Sequence, residues 1–257
     1  MPTSLSEPLI RLNLRLKVLE RAFLRHRQTP VYLRTIDRFA VQEGLVSNLW
    51  QSWNRFCRDV TVGSALGSNT ASGVAVTSNF HQNTDAEIAF AAKKLSQNQA
   101  IGNMRAISGD HLEPTWGDFS KLSLIISGLG PTNAQTLLTG FGSLNSISDL
   151  QLCRNASAHI SSERIADVRN AKVRYQSTKF YHPSDMLFWI EPYTNDYLWK
   201  YWADEILAAG ALAISYRVSW RCSTRPTKSG WWTHSAERAE AFHRARCGRL
   251  RTGASRP

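Results

Sequence analysis

Apolar residues recur at helical spacing almost from the first residues. Leu12, Leu16, Leu19 and Phe23 line one face of a segment over about 10–27, with five arginines around it. Pro30 interrupts that helix. The next stripe, Tyr32, Ile36, Phe39, Val46, Leu49, Trp50, Trp53, Phe56 and Cys57, predicts the strongest helix of the chain over about 31–60, packed lengthwise against other helices. Glu43 falls inside this stripe, where an unpaired buried charge would cost several kcal/mol. It therefore either meets a partner inside the fold or reaches solvent from the edge of the stripe.

Residues 61–83 are rich in Gly, Ser, Thr and Asn without helical period, and predict a long flexible connection whose deletion the core would tolerate. Thr84 and Glu87 form a capping-box pattern that opens a helix to about 99, with Ile88, Phe90, Ala91, Ala92 and Leu95 on its apolar side. Two further helices are expected over 116–129 and 132–141, divided by the turn signal Gly130-Pro131. Ser146 and Asp149 repeat the capping-box pattern ahead of Ile147, Leu150 and Leu152 and predict another helix start. A polar helix over about 162–176 carries Ile165, Val168 and Val173, and His182-Pro183 ends it. Residues 186–190 read as a strand or an extended segment stopped by Pro192. From near Asn195, Tyr197, Leu198, Tyr201, Trp202, Ile206, Leu207 and Leu212 predict a last helix that closes the bundle beside the one started by Ser146.

The expected architecture is thus all-α, an up-and-down helical bundle with an extra N-terminal helix, a long polar loop and a basic C-terminal tail. Three regions are expected: a basic N-terminal helix over 1–30, a helical domain over 31–216 with its flexible insertion at about 61–83, and a tail over 217–257. In the tail Trp231, Trp232, His234 and Phe242 are interleaved with Arg, so it either stacks on unpaired bases or forms no stable structure alone.

Charge sharpens this picture. The chain carries a net charge of +11, concentrated at its ends: 10 Lys/Arg against 4 Asp/Glu over 1–58, 11 against 14 over 59–216, and 10 against 2 over 217–257. Basic ends attract a polyanion such as RNA, or simply aid solubility. No run of 18 apolar residues and no leader pattern is readable, so a cytoplasmic location without membrane contact is expected. The four cysteines, Cys57, Cys153, Cys222 and Cys247, have no zinc-finger spacing and are expected as reduced thiols, Cys153 as a buried helix residue and not a nucleophile. Asp110-His111-x-Glu113 lacks a second cluster to complete a metal site and reads as a loop.

The segment with the most chemistry is Cys153-Arg154-Asn155-Ala156-Ser157-Ala158-His159. Arginine is permanently charged and forks onto phosphate oxygens, whereas histidine changes protonation near neutral pH, so the pair can hold a phosphodiester and move its protons without a metal. Similar Arg-to-His spacing occurs at Arg21/His26, Arg105/His111 and Arg238/His243. Only Arg154 is followed directly by an amide side chain, small residues and then the His, behind an apolar run. The plainer alternative is a helix end in which Arg154 pairs with a carboxylate such as Asp149 and His159 is a half-buried, satisfied imidazole.

Arg154-Asn155 followed by His159 resembles the HEPN superfamily, whose members carry an Arg, a polar residue that is often Asn, and a His after a short gap. The resemblance covers this short motif and the helical pattern around it. The flanks here are longer than a minimal HEPN domain, and Ser161-Ser162 stand where a Gly is often seen. It implies a metal-independent endoribonuclease that needs no cofactor, in which His159 takes the proton of a ribose 2′-hydroxyl as that oxygen attacks phosphorus in line. The products would be a 2′,3′-cyclic phosphate and a 5′-hydroxyl. Arg154 would stabilise the transition state, Asn155 would hold a phosphate oxygen or fix the Arg, and Ser157 and Glu43 would assist, Glu43 by orienting Arg154 or His159. Arg164, Arg169, Lys172 and Arg174 would line an RNA groove.

On an ideal helix, five residues place Arg154 and His159 roughly 140° apart, so one copy makes a poor site. HEPN relatives solve this by pairing two protomers around a symmetric cleft, and a homodimer through the motif region and the long helices is expected. The resemblance further implies roles as a toxin or phage-defence effector held by an antitoxin or other regulatory protein. Its alternative is a non-catalytic helical module that binds RNA or protein. No base-reading motif specifies which RNA is bound.

Overall fold

The structure is a computed structural model that describes residues 3–29 and 34–215. Two-residue strand β1 (Thr3–Ser4) leads into α1 (Ser6–Gln28), whose Leu12, Leu16, Leu19 and Phe23 are buried as the stripe predicts. Helix α2 (Thr35–Leu66) runs back antiparallel along α1: Arg11 Nη2 donates to Asp59 Oδ2 at 3.0 Å and Arg15 Nη2 to Asn48 Oδ1 at 2.6 Å. Its buried face is the predicted one from Leu45 through Trp50 and Trp53 to Val60, whereas Ile36 at the start of the predicted stripe is exposed. At 1.5 Å per residue α2 spans roughly 48 Å and serves as the axis on which the other elements pack. The core residues of α1 belong to the same cluster as those of α2 and the later helices, so α1 is an integral part of the fold and not a separate N-terminal domain.

The expected flexible segment at 61–83 is not a free loop. Its first six residues continue α2, with Thr61, Val62, Ser64 and Ala65 buried. These residues pack closely: a Cβ on Gly63 would be in contact with Leu5 Cδ2 at 3.4 Å, and Ser64 Oγ accepts from the buried Asn133 Nδ2 at 3.1 Å. Gly67, at φ +90°, ends the helix in a conformation that disfavours any side chain. Strand β2 (Ser68–Asn69) then pairs parallel with β1 and antiparallel with β3 (Ala75–Val76), tying the N-terminus to the end of α2. Ser68, Thr70 and Val76 are buried, so deleting this segment would open the core.

Helix α3 (Asp85–Leu95) starts at the predicted capping box: Glu87 N–H donates to Thr84 Oγ1, and Thr84 N–H donates to Glu87 Oε2. Helices α4 (Phe119–Leu129) and α5 (Ala134–Phe141) follow on either side of Gly130. Between α3 and α4, Glu113 is consumed by Arg58 and by the Trp116 indole N–H, which fixes that stretch as structure. Helix α6 (Ile147–Ala158) carries the Arg-Asn motif, and α7 (Ser162–Ala171) is shorter than predicted. A 3₁₀ turn, Lys172–Arg174, replaces the end of the expected helix and leaves Val173 exposed.

Residues 183–188 form a second 3₁₀ turn in place of a strand, started by Asp185 Oδ2 accepting the His182 N–H at 2.9 Å. Of that run Trp189 and Ile190 are extended, and Ile190 bridges to Gln176 and Tyr197. Helix α8 (Leu198–Ile214) closes the fold against α5 and α1, and not along α6 as the sequence suggested. Small residues set that crossing: a Cβ on Gly140 would lie 2.4 Å from Ala213 Cα. The fold is mostly helical, so the class is all-α, and the three strands among the described residues are two residues each. Among the described residues no helix is long and apolar enough to cross a membrane. The basic tail expected over 217–257 lies outside the described residues, as does Tyr32 of the long stripe.

Candidate functional site

Helix α6 is anchored firmly at its first turn. Ser146 precedes it as predicted, but the capping box does not form, because both partners are used elsewhere. Ser146 N–H and Oγ donate to Glu205 Oε2 at 3.1 and 2.6 Å, and Asn145 N–H and Nδ2 donate to Glu205 Oε1 at 3.1 and 3.3 Å. Tyr201 OH adds a fifth donor at 3.2 Å. The buried Glu205 of α8 thus satisfies donors ahead of a helix N-terminus, where negative charge is favourable. Asp149, also buried, accepts from Arg174 Nη2 and from the Tyr175 hydroxyl. Burial and the Asp149 carboxylate raise the Tyr175 phenol above its ordinary range, so it stays a donor.

Leu150, Cys153 and Ala156 form the buried side of α6. Cys153 Sγ donates to Pro183 O at 3.5 Å, and burial pushes its thiol well up, with Asp185 and Asp149 adding to the rise. A thiol held neutral in the core is no nucleophile, in line with the expectation from sequence. Ser157, one turn later, is buried beside Cys153, whose thiol it tends to lower, and so faces the core and not the motif surface. Its assignment as an auxiliary residue is not carried by this placement.

On the outer side, Arg154 and Asn155 are half-buried, and Arg154 Nη1 donates to Asn155 Oδ1 at 3.0 Å. His159 lies just past the helix, with φ −137° and ψ 80°, and its N–H donates to Asn155 O at 2.9 Å. The residue is exposed, and among the described residues its ring has no hydrogen-bond or ion-pair partner. The alternative in which Arg154 pairs with Asp149 and His159 is half-buried does not hold, since Asp149 is taken by Arg174 and Tyr175. Within one chain, Arg154 and His159 are not joined by a hydrogen bond, as their helical spacing suggests.

The four cations expected to line a groove divide. Arg169 is exposed and Lys172 half-exposed, while Arg164 pairs with Asp167 at 3.7 Å. Arg174 is committed to Asp149 at 2.5 Å and serves the fold.

Glu43 does not meet Arg154 or His159. Its Oε1 lies 3.2 Å from His182 Nε2, with 41 % of the Glu43 side chain exposed against 11 % of the His182 side chain. His182 stacks on Phe39 with centroids 4.4 Å apart, and Ser184 Oγ lies 2.8 Å from both His182 Nδ1 and Gln42 Oε1. The order Glu43, His182, Ser184 is that of a proton relay, but Ser184 is wholly buried and no substrate reaches it. Burial holds the His182 imidazole below its ordinary value of 6.5, against the opposing pull of Glu43 and Asp185. The neutral ring then gives Nε2–H to Glu43 and accepts at Nδ1, where the Ser184 N–H caps the 3₁₀ turn at 3.3 Å. The signal for this network was Glu43 inside an apolar stripe; its partner lies too far along the chain to be read from local pattern.

Among the described residues no group of three His, Cys, Asp or Glu is placed to hold a metal ion. Compared with protein-family models, with curated proteins and with solved structures, the chain matches none.

Proposed function

We propose that the chain is a metal-independent endoribonuclease of HEPN type, acting as a homodimer in which two copies of Arg154, Asn155 and His159 face each other. The observation that carries this reading is the free, exposed His159 ring one step beyond a helix that holds Arg154 on Asn155. An imidazole without a partner is available to take the proton of a ribose 2′-hydroxyl, and an Arg without a carboxylate partner is available to a phosphate. Asn155 holds the guanidinium in place, and Arg169 and Lys172 on the following segment extend positive charge along the backbone of the RNA. The biological setting that fits such an activity is a toxin or phage-defence effector controlled by a protein inhibitor.

The test is cleavage of mixed RNA in EDTA by the parent chain, His159→Ala and Arg154→Ala, with end-group analysis. Each substitution is expected to lower the rate on the order of 100-fold or more, with fragments ending in 2′,3′-cyclic phosphate and 5′-hydroxyl. Cleavage that survives His159→Ala, or that needs a divalent ion, overturns the mechanism. A second reading, a non-catalytic helical module that binds RNA or protein, is favoured by the lack of any Arg154–His159 contact within one chain. It predicts RNA binding without fragments.

A further inference from the structure

Helix α1 has a second apolar line, opposite the face it buries. Ile10, Leu14 and Val18 are 48 %, 59 % and 45 % exposed, and successive steps of four residues put them on one ridge. Single exposed aliphatic residues are ordinary, but three in a row on a straight helix form a continuous surface. Glu7 precedes this ridge and Arg21 follows it, both exposed, so the outer line reads Glu7, Ile10, Leu14, Val18, Arg21.

This line is its own complement when reversed. Two copies of α1 laid antiparallel with Leu14 on the axis place Ile10 against the partner's Val18 and Glu7 against the partner's Arg21. A twofold interface requires this property, because each contact must occur twice. Arg11 is drawn to Asp59 and Arg15 to Asn48 on α2, and the seam exchanges the exposed Glu7–Arg11 contact of 3.8 Å within α1 for a Glu7–Arg21 pair between copies. Other occupants fit less well. RNA would leave the aliphatic side chains unused.

We infer that the outer face of α1 is a self-association surface, a twofold antiparallel helix seam centred on Leu14 and closed at each end by a Glu7–Arg21 pair between copies. The seam is separate from the end of α6 and does not depend on the proposed ribonuclease. Three half-exposed side chains per copy form a small interface, so a weak, reversible association is expected.

The experiment uses the full chain with Cys222 and Cys247 changed to Ser, leaving the buried Cys57 and Cys153. Sedimentation equilibrium is expected to show a reversible association step, additional to any dimer formed at the α6 end, that Arg21→Glu weakens about tenfold or more, through two lost pairs and two new repulsions. The double change Glu7→Arg/Arg21→Glu restores it. Leu14→Cys forms a disulfide-linked dimer under mild oxidation, and mixed Ile10→Cys and Val18→Cys chains cross-link to each other in preference to themselves. A monomer throughout, or association that is wholly indifferent to Arg21→Glu, overturns the seam; the latter result would leave the α6 end as the site of dimerisation. Monomeric binding to phosphatidylserine vesicles that Leu14→Ser abolishes would assign the ridge to an anionic lipid surface and equally overturn it. RNA cleavage by the same variants, measured alongside, reports on His159 independently.

Discussion

Glu205→Ala is the substitution that most directly tests how α6 is held. The Glu205 carboxylate is buried at 6 % exposure and accepts from five donors on Asn145, Ser146 and Tyr201. Alanine removes every one of these bonds and leaves the Ser146 N–H and hydroxyl buried beside a new cavity. A buried donor without an acceptor costs roughly 1–3 kcal/mol, and breaking a buried charged network about 3–5 kcal/mol. For a chain of this size that loss corresponds to roughly 6–20 °C in Tm. Glu205→Gln keeps one acceptor but turns an amide donor toward Ser146, so an intermediate loss of roughly 1–3 kcal/mol is expected. The assay is urea unfolding followed by tryptophan fluorescence, since the buried Trp199 and Trp202 lie in the two turns of α8 before Glu205. If Glu205→Ala lowers stability by less than about 1 kcal/mol, the carboxylate does not hold the start of α6 and the reasoning fails.

Three further outcomes follow from named contacts. Burial holds His182 and His26 below 6.5, so the unfolded chain takes up protons first as pH falls; stability is full above 6.5 and declines through the lowered values, and His182→Gln should flatten that decline in Tm measured from pH 7.5 to 5. Gly140→Ala drives a Cβ to 2.4 Å from the Ala213 backbone and should cost about 1–3 kcal/mol by thermal unfolding, whereas Gly44→Ala, with open space around its Cβ, should be neutral or stabilising. Arg174→Ala should lower Tm by exposing the buried Asp149 charge, while Arg169→Ala should leave Tm unchanged and weaken RNA binding with a reduced salt dependence; equal effects on both measurements would remove the distinction drawn between the two arginines.

Periodicity made the helices legible wherever one face was apolar and the other charged. The α1 stripe, the α2 stripe from Val46 onward and the Thr84–Glu87 capping box appear where local pattern placed them, whereas Ile36 is exposed. It failed where composition and burial part company. Thr61, Gly63 and Ser64 resemble loop residues, yet they lie in α2, where Gly63 backs onto Leu5 and Ser64 accepts a hydrogen bond from the buried Asn133. It failed again where a long-range partner competed for a local cap. Ser146 and Asp149 match a capping box letter for letter, but Glu205 and Tyr175 hold them instead, and neither lies within the window that such a pattern spans. Of the candidate site, the exposed His159 and the Arg154–Asn155 pair follow from helical spacing, whereas the destination of Glu43 required His182 from a distant turn.

The two ends of α6 divide the work of stability and chemistry. Its first turn is locked by two buried carboxylates, Glu205 and Asp149, and its middle by Leu150, Cys153 and Ala156, all packed in the core. Its last turn carries Arg154, Asn155 and then His159, which make local contacts to one another and leave their remaining donors and acceptors to solvent. A helix fixed at one end and bare at the other presents its terminal side chains on a rigid support, which preorganisation of a phosphate-handling site requires. The same division predicts that Arg154→Ala and His159→Ala change Tm by no more than about 1–2 °C, as expected for surface substitutions within ~0.5 kcal/mol. Circular dichroism melts of both variants check this, and a loss comparable to that of Glu205→Ala would mean that these residues serve the fold and not the chemistry.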